Sequence, residues 1–181
     1  ENYFYRYTGG GGNWPLSYAN VSLSDLDYTA RIRATDNPKT TWIGLAFRIL
    51  DASTSPDFLT FYQSRDTNNF KYGVITNDVH ANPITNPVFT MPAGAWYRLR
   101  VQAVGSTVRA RIWADGAVEP STWTLSTNTT TYQSSNNIGL TLSYHTTNAD
   151  WDDIQVRRLV ATEPSVSLGA PSCPTASACW R

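Results

Sequence analysis

The sequence has few of the residues that most favour helices, with one methionine, two lysines and three glutamates among 181 residues. Threonine and aromatic residues, which favour strands, are plentiful, and aromatics alone make up 13% of the chain. No apolar run approaches the roughly 18 residues needed to cross a bilayer, so we expect no membrane insertion. The length suits one domain with a single core, and the composition disfavours an all-α fold.

The chain also lacks a charge of one dominant sign, because 14 basic side chains balance 14 acidic ones. Nucleic-acid-binding domains normally carry a basic excess, so no nucleic-acid partner is expected. Charged residues form only 15% of the chain, below the roughly 25% usual in globular domains. Twelve of the basic residues are arginine and eleven of the acidic ones are aspartate, so the few charges are of two main kinds.

Cysteine is scarce, and Cys173 and Cys179 both lie near the C-terminus. A metal site would need further Cys or His ligands, so we favour a small disulfide loop, with free thiols as the alternative. Asn20 and Asn128 each begin an Asn-x-Ser/Thr acceptor sequence for N-glycosylation. The chain starts at Glu1 without a charged-then-apolar leader, as a processed product would. These features predict an extracellular or cell-surface protein.

Apolar and polar residues alternate with a period of two along most of the chain, which predicts strands. The predicted strands cover residues 28–34, 42–50, 58–65, 70–76, 138–144 and 151–160, together with a hairpin at 96–113. Loops are predicted at 9–12, 82–87 and 126–137, and a turn at 66–69, from their glycine, proline and asparagine content. We expect a β-sandwich over residues 1–160 and an extended C-terminal tail, with the small disulfide loop, over residues 161–181.

The hairpin at residues 96–113 is the most specific local prediction. Gly105-Ser106 suits a two-residue type II′ turn, because glycine readily adopts the positive φ of the first central position. The resulting register puts the apolar residues of both strands on one face and the arginines on the other. In this register Arg98 faces Trp113, which favours a cation–π contact.

The hairpin and the closing strand together show a familiar order of motifs. The motifs are Trp96-Tyr97-Arg98-Leu99-Arg100-Val101, Val108-Arg109-Ala110-Arg111-Ile112-Trp113 and Trp151-Asp152-Asp153-Ile154-Gln155-Val156. This order resembles concanavalin A-like (laminin-G-like) jelly-roll domains, and the closing segment is similar to the end of certain prokaryotic surface proteins. The resemblance implies an all-β, two-sheet antiparallel jelly-roll sandwich. Such sandwiches include lectins, enzymes, adhesion modules and structural domains, so the fold leaves the function open.

Enzymatic motifs of this fold are missing. Sandwiches that cleave β-glucans carry a Glu-x-Asp-x-x-Glu strand, which points two carboxylates into one groove. The three glutamates, Glu1, Glu119 and Glu163, are too far apart in sequence for this spacing. The Gln-Ile-His and Tyr-x-Lys-x-Gly-x-Tyr motifs of alginate lyases are also absent. We therefore predict a protein that is not an enzyme, with a hydrolase or lyase using an Asp–His site at His80 or His145 as the alternative.

Arginines and tryptophans recur at outward positions of the predicted strands. Aromatic rings stack on sugar faces and arginines donate directional hydrogen bonds, so these residues predict a saccharide or glycan partner, including acidic glycans. The candidate ligand-binding residues are Trp42, Arg98, Arg100, Arg109, Arg111 and Trp113, with Arg31, Arg33 and Arg48 on the same outward positions. The alternative is a solvated sheet face that arginine stems cover.

Asp150, Asp152 and Asp153 form the densest group of carboxylates. Ca²⁺ binds several oxygen ligands, and the resemblance implies a structural Ca²⁺ held partly by an aspartate of the closing strand. We therefore expect Asp152 and Asp153 as candidate metal ligands, with alternation placing Asp152 inward and Asp153 outward. The alternative is that each aspartate pairs with an arginine.

The two ends of the chain offer a second functional hypothesis. Residues 1–7 form an aromatic strand, and residues 163–169 alternate as a strand would. Each segment either joins its own sheet or adds to the sheet of an identical neighbouring subunit. Exchange of terminal strands would make the protein a repeating subunit of an extracellular filament or surface layer.

Overall fold

The computed structural model describes residues 4–8, 14–35, 42–84, 87–143 and 148–159. Within these ranges the chain forms twelve strands and no helix. The strands are β1 (Tyr5–Thr8), β2 (Leu16–Asn20), β3 (Leu26–Ala34), β4 (Trp42–Asp51), β5 (Asp57–Ser64), β6 (Asn69–Thr76), β7 (Val79–Ala81), β8 (Tyr97–Val104), β9 (Thr107–Ala114), β10 (Leu125–Asn128), β11 (Asn137–Ser143) and β12 (Asn148–Arg158). The part of the chain that the structure describes holds no helix that could cross a membrane.

The strands form two antiparallel sheets of six strands each. Sheet I has the order β1-β12-β3-β8-β9-β10, and sheet II has the order β2-β11-β4-β5-β6-β7. Strands that are distant in sequence, such as β12 and β3, are neighbours in space, so the architecture depends on long-range pairing. The predicted all-β, two-sheet antiparallel sandwich is confirmed.

The main hydrophobic core lies between the sheets and takes alternate residues from both. Ile32 and Leu99 of sheet I are fully buried, as are Leu45 and Phe61 of sheet II. Burial of side chains of this size contributes about 1.5–3 kcal/mol each. Trp151 also lies in this layer, and its indole nitrogen donates to the carbonyl oxygen of Gly44 at 3.2 Å. Period-two alternation therefore gives each sheet one apolar face, and the two apolar faces pack against each other.

The hairpin between β8 and β9 forms as predicted. Val104 pairs with Thr107 and Val101 with Ala110, so the register is the expected one. Gly105 has a φ of 53°, which the first central position of a type II′ turn requires. The apolar residues of both strands enter the main core and the arginines occupy the opposite face.

Short strands at the sheet edges were harder to predict. The predicted loop at 126–137 is wrong at its start, because β10 (Leu125–Asn128) pairs with β9 there. Two other short strands, β2 and β7, were also not predicted from periodicity. All three pair on one side only, and such edge strands need fewer apolar residues than central strands. The interior strands were therefore predictable from their alternation, whereas the short edge strands are recognised only from their pairing with a neighbouring strand.

Arg48 in β4 does not point outward as its position in the sequence predicted. Its φ is 50°, at a place where the pairing of β4 with β5 is irregular. An irregularity of this kind changes which face the following residues occupy. The Arg48 side chain is consequently fully buried, and Ile49 joins the apolar residues on the outer face of sheet II.

The N-terminal strand β1 pairs with β12 of the same chain, from Tyr5 opposite Trp151 to Thr8 opposite Asn148. This is pairing within its own sheet, the simpler of the two arrangements that we expected for this end. The C-terminal segment 163–169, the tail 161–181 with Cys173 and Cys179, and His145 lie outside the described residues.

Candidate functional site

The outer face of sheet I carries arginines and aspartates in facing rows. Asp150 stands opposite Arg33 on β3 and opposite Arg6 on β1. Its fully buried carboxylate accepts hydrogen bonds from Arg6 Nε at 2.7 Å and Arg33 Nε at 2.9 Å. Burial would raise the pKa of Asp150, but the hydrogen bonds from both arginines outweigh it and hold that pKa below its ordinary value. Asp150 is therefore a charged structural anchor of this face.

The predicted metal ligands also pair with arginines. Asp152 Oδ2 accepts from Arg31 Nη1, and Asp153 Oδ2 accepts from Arg98 Nη2, both at 3.0 Å. The expected inward orientation of Asp152 is wrong, because a bulge between Asp152 and Gln155 interrupts the alternation counted back from Val156. Among the described residues no cluster of three or more acidic, His or Cys side chains could hold a metal. This donor set does not fit Ca²⁺, and the geometry supports the alternative of arginine pairs.

The structure divides the predicted ligand-binding residues between the two sheets. Arg98, Arg100, Arg109, Arg111 and Trp113 lie on β8 and β9 of sheet I, whereas Trp42 lies on β4 of sheet II. The arginines are also engaged: Arg98 Nε donates to Asp115 at 2.8 Å, and Arg111 Nη2 lies 2.6 Å from Glu119. Trp113 is only 9% exposed. One continuous groove containing all six residues therefore does not exist.

Two tryptophans outside the strands cover this arginine layer. The guanidinium carbons of Arg31 and Arg33 lie 4.6 and 4.4 Å from the centre of the Trp96 ring. Arg109 and Arg111 lie 4.4 and 4.3 Å from a ring of Trp123. Such cation–π contacts contribute about 0.5–1 kcal/mol each at exposed sites. Local sequence did not reveal these contacts, because Trp123 lies outside the predicted strands and the contacts of Trp96 depend on the pairing of β3 with β8.

The outer face of sheet II carries an aromatic cluster formed by Trp14, Trp42, Tyr62 and His80. The rings of Trp14 and His80 stack at 5.4 Å, and those of Trp42 and Tyr62 stack at 5.3 Å. Trp14 and Tyr62 are buried, whereas Trp42 and His80 are partly exposed. The cluster is thus a supported platform whose exposed members are Trp42 and His80.

A glycine makes the space for this cluster in the sheet. A Cβ atom at Gly44 would lie 2.6 Å from Cβ of Tyr62, closer than real Cβ contacts allow. Glycine at this position of β4 therefore leaves room for Tyr62 of β5, whose ring stacks on Trp42. The sequence identified Trp42 as a candidate ligand-binding residue and His80 only as a catalytic alternative, and it did not reveal Trp14 or Tyr62. The convergence of these four residues depends on the order of strands in sheet II.

Charged groups border the exposed edge of the aromatic cluster. The indole nitrogen of Trp42 donates to Asp66 Oδ1 at 2.9 Å, and Nζ of Lys71 lies 5.3 Å from the centre of the Trp42 ring. Burial would raise the pKa of Asp66, but hydrogen bonds led by those from Ser64 and Trp42 outweigh it and keep that pKa low. The partly exposed Trp42 indole therefore has an anion at its nitrogen and a cation over its ring. Such a group can contact an apolar ring face and hydrogen-bond to the substituents of that ring.

His80 has a structural environment rather than that of a catalytic base paired with a carboxylate. Its Nε2 lies 2.8 Å from the hydroxyl oxygen of Tyr62. Burial, and then the positive charge of Lys71, lower the pKa of His80, so the ring is neutral at pH 7. Glu119 is likewise held by arginines, at 2.7 Å from Arg100 and 2.6 Å from Arg111. The Asp–His alternative gains no support at His80.

Both predicted glycosylation sites are exposed ends of edge strands. Asn20 ends β2, and Asn128 ends β10. The Asn128 Oδ1 atom accepts a hydrogen bond from Thr107 at 3.0 Å. Modification at either position stays a prediction.

The two sheets, their strand order and the core between them define a concanavalin A-like jelly-roll sandwich. The chain is similar to the carbohydrate-binding module CBM66 from Bacillus subtilis, with a TM-score of 0.59, 11% identity, and coverage of 86% of this chain and 91% of that one. It is also similar to Bacillus licheniformis β-glucanase, with a TM-score of 0.53, 11% identity, and coverage of 82% and 76%. Sheep galectin-11 gives a TM-score of 0.52 at 7% identity, with coverage of 82% and 100%. No family model and no curated protein matches the sequence.

Proposed function

We propose that this chain is a non-catalytic, extracellular carbohydrate-binding domain in which a sugar ring stacks on Trp42. The observation that carries this proposal is the partly exposed Trp42 indole, which stacks on Tyr62 at 5.3 Å and has Lys71 Nζ over its ring and Asp66 at its indole nitrogen. The C–H face of a pyranose is apolar and its hydroxyls are polar. A supported aromatic ring with charged groups at its edge is complementary to both parts.

Preorganisation strengthens the proposal. Tyr62 and Trp14 are buried, and Trp42 stacks on Tyr62 and contacts Trp14, so little side-chain entropy is lost when a ligand binds. The Asp66 carboxylate is already oriented by the Trp42 indole nitrogen and by the backbone nitrogen of Thr67 at 2.8 Å. The site can therefore bind without rearranging its aromatic members.

The comparisons support the proposal at the level of the fold. One similar structure is named as a carbohydrate-binding module and another as a galectin, but a third is named as a glucanase. Structural similarity at a sequence identity near 10% supports a shared architecture but not a shared activity. The preference for binding over catalysis depends on the residues: Glu119 is held between arginines and His80 lies beside Tyr62, so neither forms a pair of catalytic carboxylates or an Asp–His dyad.

The test is binding of neutral oligosaccharides by the full chain on a glycan array, followed by titration calorimetry of the best ligand. Replacement of Trp42 by Ala should weaken that binding at least tenfold. Tyr18→Ala is the matched control, because Tyr18 is an exposed aromatic on edge strand β2 of the same sheet and should leave the affinity unchanged. Uniform absence of binding, equal effects of the two variants, or release of reducing sugars from a polysaccharide would overturn the proposal.

A further inference from the structure

A pocket of about 350 Å³ opens on the outer face of sheet I, on the opposite side of the sandwich from Trp42. Its volume lies within the roughly 300–1,000 Å³ of ordinary small-ligand sites. It is lined by Asp27, Thr29, Arg100, Gln155, Val156 and Arg157. Most of these side chains are polar, and they come from three neighbouring strands, β3, β8 and β12.

The pocket exists because one outward residue of β3 is short. The outward series on this strand is Asp27, Thr29, Arg31 and Arg33. Thr29 stands between Gln155 on β12 and Arg100 on β8, so two long side chains face each other across a small one. The bulge in β12 ends just before Gln155, and the pocket opens directly after it.

A buried carboxylate fixes the donors around the pocket. The Asp27 side chain is 2% exposed, and it accepts from Arg100 Nε at 2.8 Å, Arg157 Nη2 at 2.9 Å and Gln102 Nε2 at 3.1 Å. Burial would raise the pKa of Asp27, but hydrogen bonds from Arg100, Arg157 and Gln102 outweigh it and keep the group ionised. The Arg100 side chain remains 17% exposed and that of Arg157 60% exposed, and both residues line the pocket.

The charge around the pocket is unbalanced. Among the residues that the structure describes at this end, four arginines (100, 109, 111 and 157) face two carboxylates (Asp27 and Glu119), a difference of two positive charges. At the other end of the same face, four arginines (6, 31, 33 and 98) face four aspartates (115, 150, 152 and 153) and the charges cancel. The positive end of the layer is thus the end that holds the cavity.

We propose that this pocket binds the carboxylate or sulfate group of an acidic saccharide, as a second site independent of the Trp42 platform. Arg100 and Arg157 supply charged donors whose positions Asp27 fixes, and planar guanidinium groups suit carboxylate and sulfate oxygens. The Thr29 hydroxyl and the Gln155 amide line the same space and can bond to neighbouring hydroxyls of the sugar. The buried Asp27 carboxylate is already satisfied by its three donors, so the positive excess acts on the ligand.

The test uses tetragalacturonate against its neutral methyl ester, and galactose 6-sulfate against galactose, in titration calorimetry with the full chain. At least one acidic probe should bind and its neutral counterpart should not. Arg157→Gln should weaken binding of that probe roughly tenfold, the value of one charge-assisted hydrogen bond. Thr29→Trp, which fills the pocket with a residue that strands accept, should abolish it.

Three controls distinguish binding in this pocket from a general charge effect and from binding at Trp42. Arg158→Gln removes the same charge from an exposed neighbour outside the pocket. If the effect is local, the affinity of this variant for the acidic probe should differ less than about twofold from the wild type. Trp42→Ala should leave binding of the acidic probe unchanged, which keeps failure at one site distinct from failure at the other. Inorganic sulfate shows whether the anion alone is enough or the sugar is needed. Equal losses in the Arg157 and Arg158 variants, full binding by Thr29→Trp with native melting behaviour, or no preference for either acidic probe would overturn the proposal.

Discussion

Arg48 Nη2 donates a hydrogen bond to the carbonyl oxygen of Gly105 at 2.6 Å, although Arg48 is in β4 of sheet II and Gly105 is in the β8–β9 turn of sheet I. The arginine is fully buried, and Asp25 lies 3.7 Å from it. Asp25 Oδ1 in turn accepts from the backbone nitrogen of Gly105 at 2.9 Å. Burial lowers the pKa of Arg48 more than the Asp25 charge raises it. A buried cation thus ties the hairpin turn to the opposite sheet.

Replacement of Arg48 by Met should lower the free energy of unfolding by about 2 kcal/mol, because the Gly105 carbonyl loses a charged donor inside the protein. Urea denaturation measures the change. Arg158→Met, at an exposed arginine, is the control and should stay within about 0.5 kcal/mol of the wild type. If Arg48→Met is as stable as the wild type, the prediction is contradicted. That result would mean that the desolvation cost of burying the cation equals the stabilisation from its hydrogen bonds.

Asp150 and Asp152 should differ sharply although both are paired with arginine. Asp150→Asn should cost about 3 kcal/mol, because the fully buried carboxylate neutralises Arg6 and Arg33 together. The Asp152 side chain is 18% exposed and forms its ion pair with Arg31, so Asp152→Asn should cost less than about 1 kcal/mol. Equal costs in parallel urea titrations would contradict the assignment of Asp150 as the anchor. Addition of chelator or Ca²⁺ should leave the midpoint of either variant unchanged.

The stability of the domain should depend on His80 below neutral pH. Burial and the Lys71 charge lower the pKa of folded His80 from its ordinary 6.5. As the pH falls below 6.5 the unfolded chain binds a proton that folded His80 does not, so stability declines until the pH reaches the folded pKa. Unfolding free energies measured between pH 8 and pH 5 should therefore fall more steeply in the wild type than in His80→Phe. Identical slopes would contradict a lowered pKa.

The carboxylates of Asp27 and Asp150 affect stability in a separate, more acidic pH range. Asp27 and Asp150 have pKa values below the ordinary 3.8, so their stabilisation is complete above that pH and is lost as the pH falls through the lower folded values. The comparison of the wild type with His80→Phe is thus free of their contribution above pH 5.

The two close-packed glycines of the aromatic platform should respond differently to an added methyl group. Gly44→Ala should cost about 1–3 kcal/mol, because the new Cβ meets the main chain and Cβ of Tyr62. At Gly73 the nearest atoms are the ring tips of His80 and Tyr62 at 3.1 Å, which can shift, so Gly73→Ala should cost less. Thermal melts of the two variants compare them directly. A larger loss at Gly73 would contradict this packing.

Several features of the fold were predictable from local sequence. The β8–β9 hairpin was correct to the residue, because Gly105 specifies the turn and a slip of one position would bury the arginines. The two-sheet architecture also followed, since alternating strands without helices must bury one face of each sheet. Trp42 was correctly placed on an outer surface.

The candidate sites needed the tertiary structure. Trp42 and Arg100 both alternate outward, but only the order of strands shows that they lie on opposite sides of the sandwich. The alternation of Arg48 and Asp152 failed at irregularities in strand pairing, which arise between strands and leave no mark in the sequence of either one.

Period-two alternation by itself determined that this chain forms a sandwich with arginines on an outer face, because the alternation is a local property of each strand. Only the tertiary structure decided which aspartate meets which arginine, where Thr29 leaves a pocket, and which aromatic rings gather around Trp42. Those outcomes depend on pairing between strands that are far apart in sequence, such as β1 with β12, where Arg6 and Asp150 are 144 positions apart. Side-chain chemistry specified the faces of the strands, and long-range pairing specified the sites.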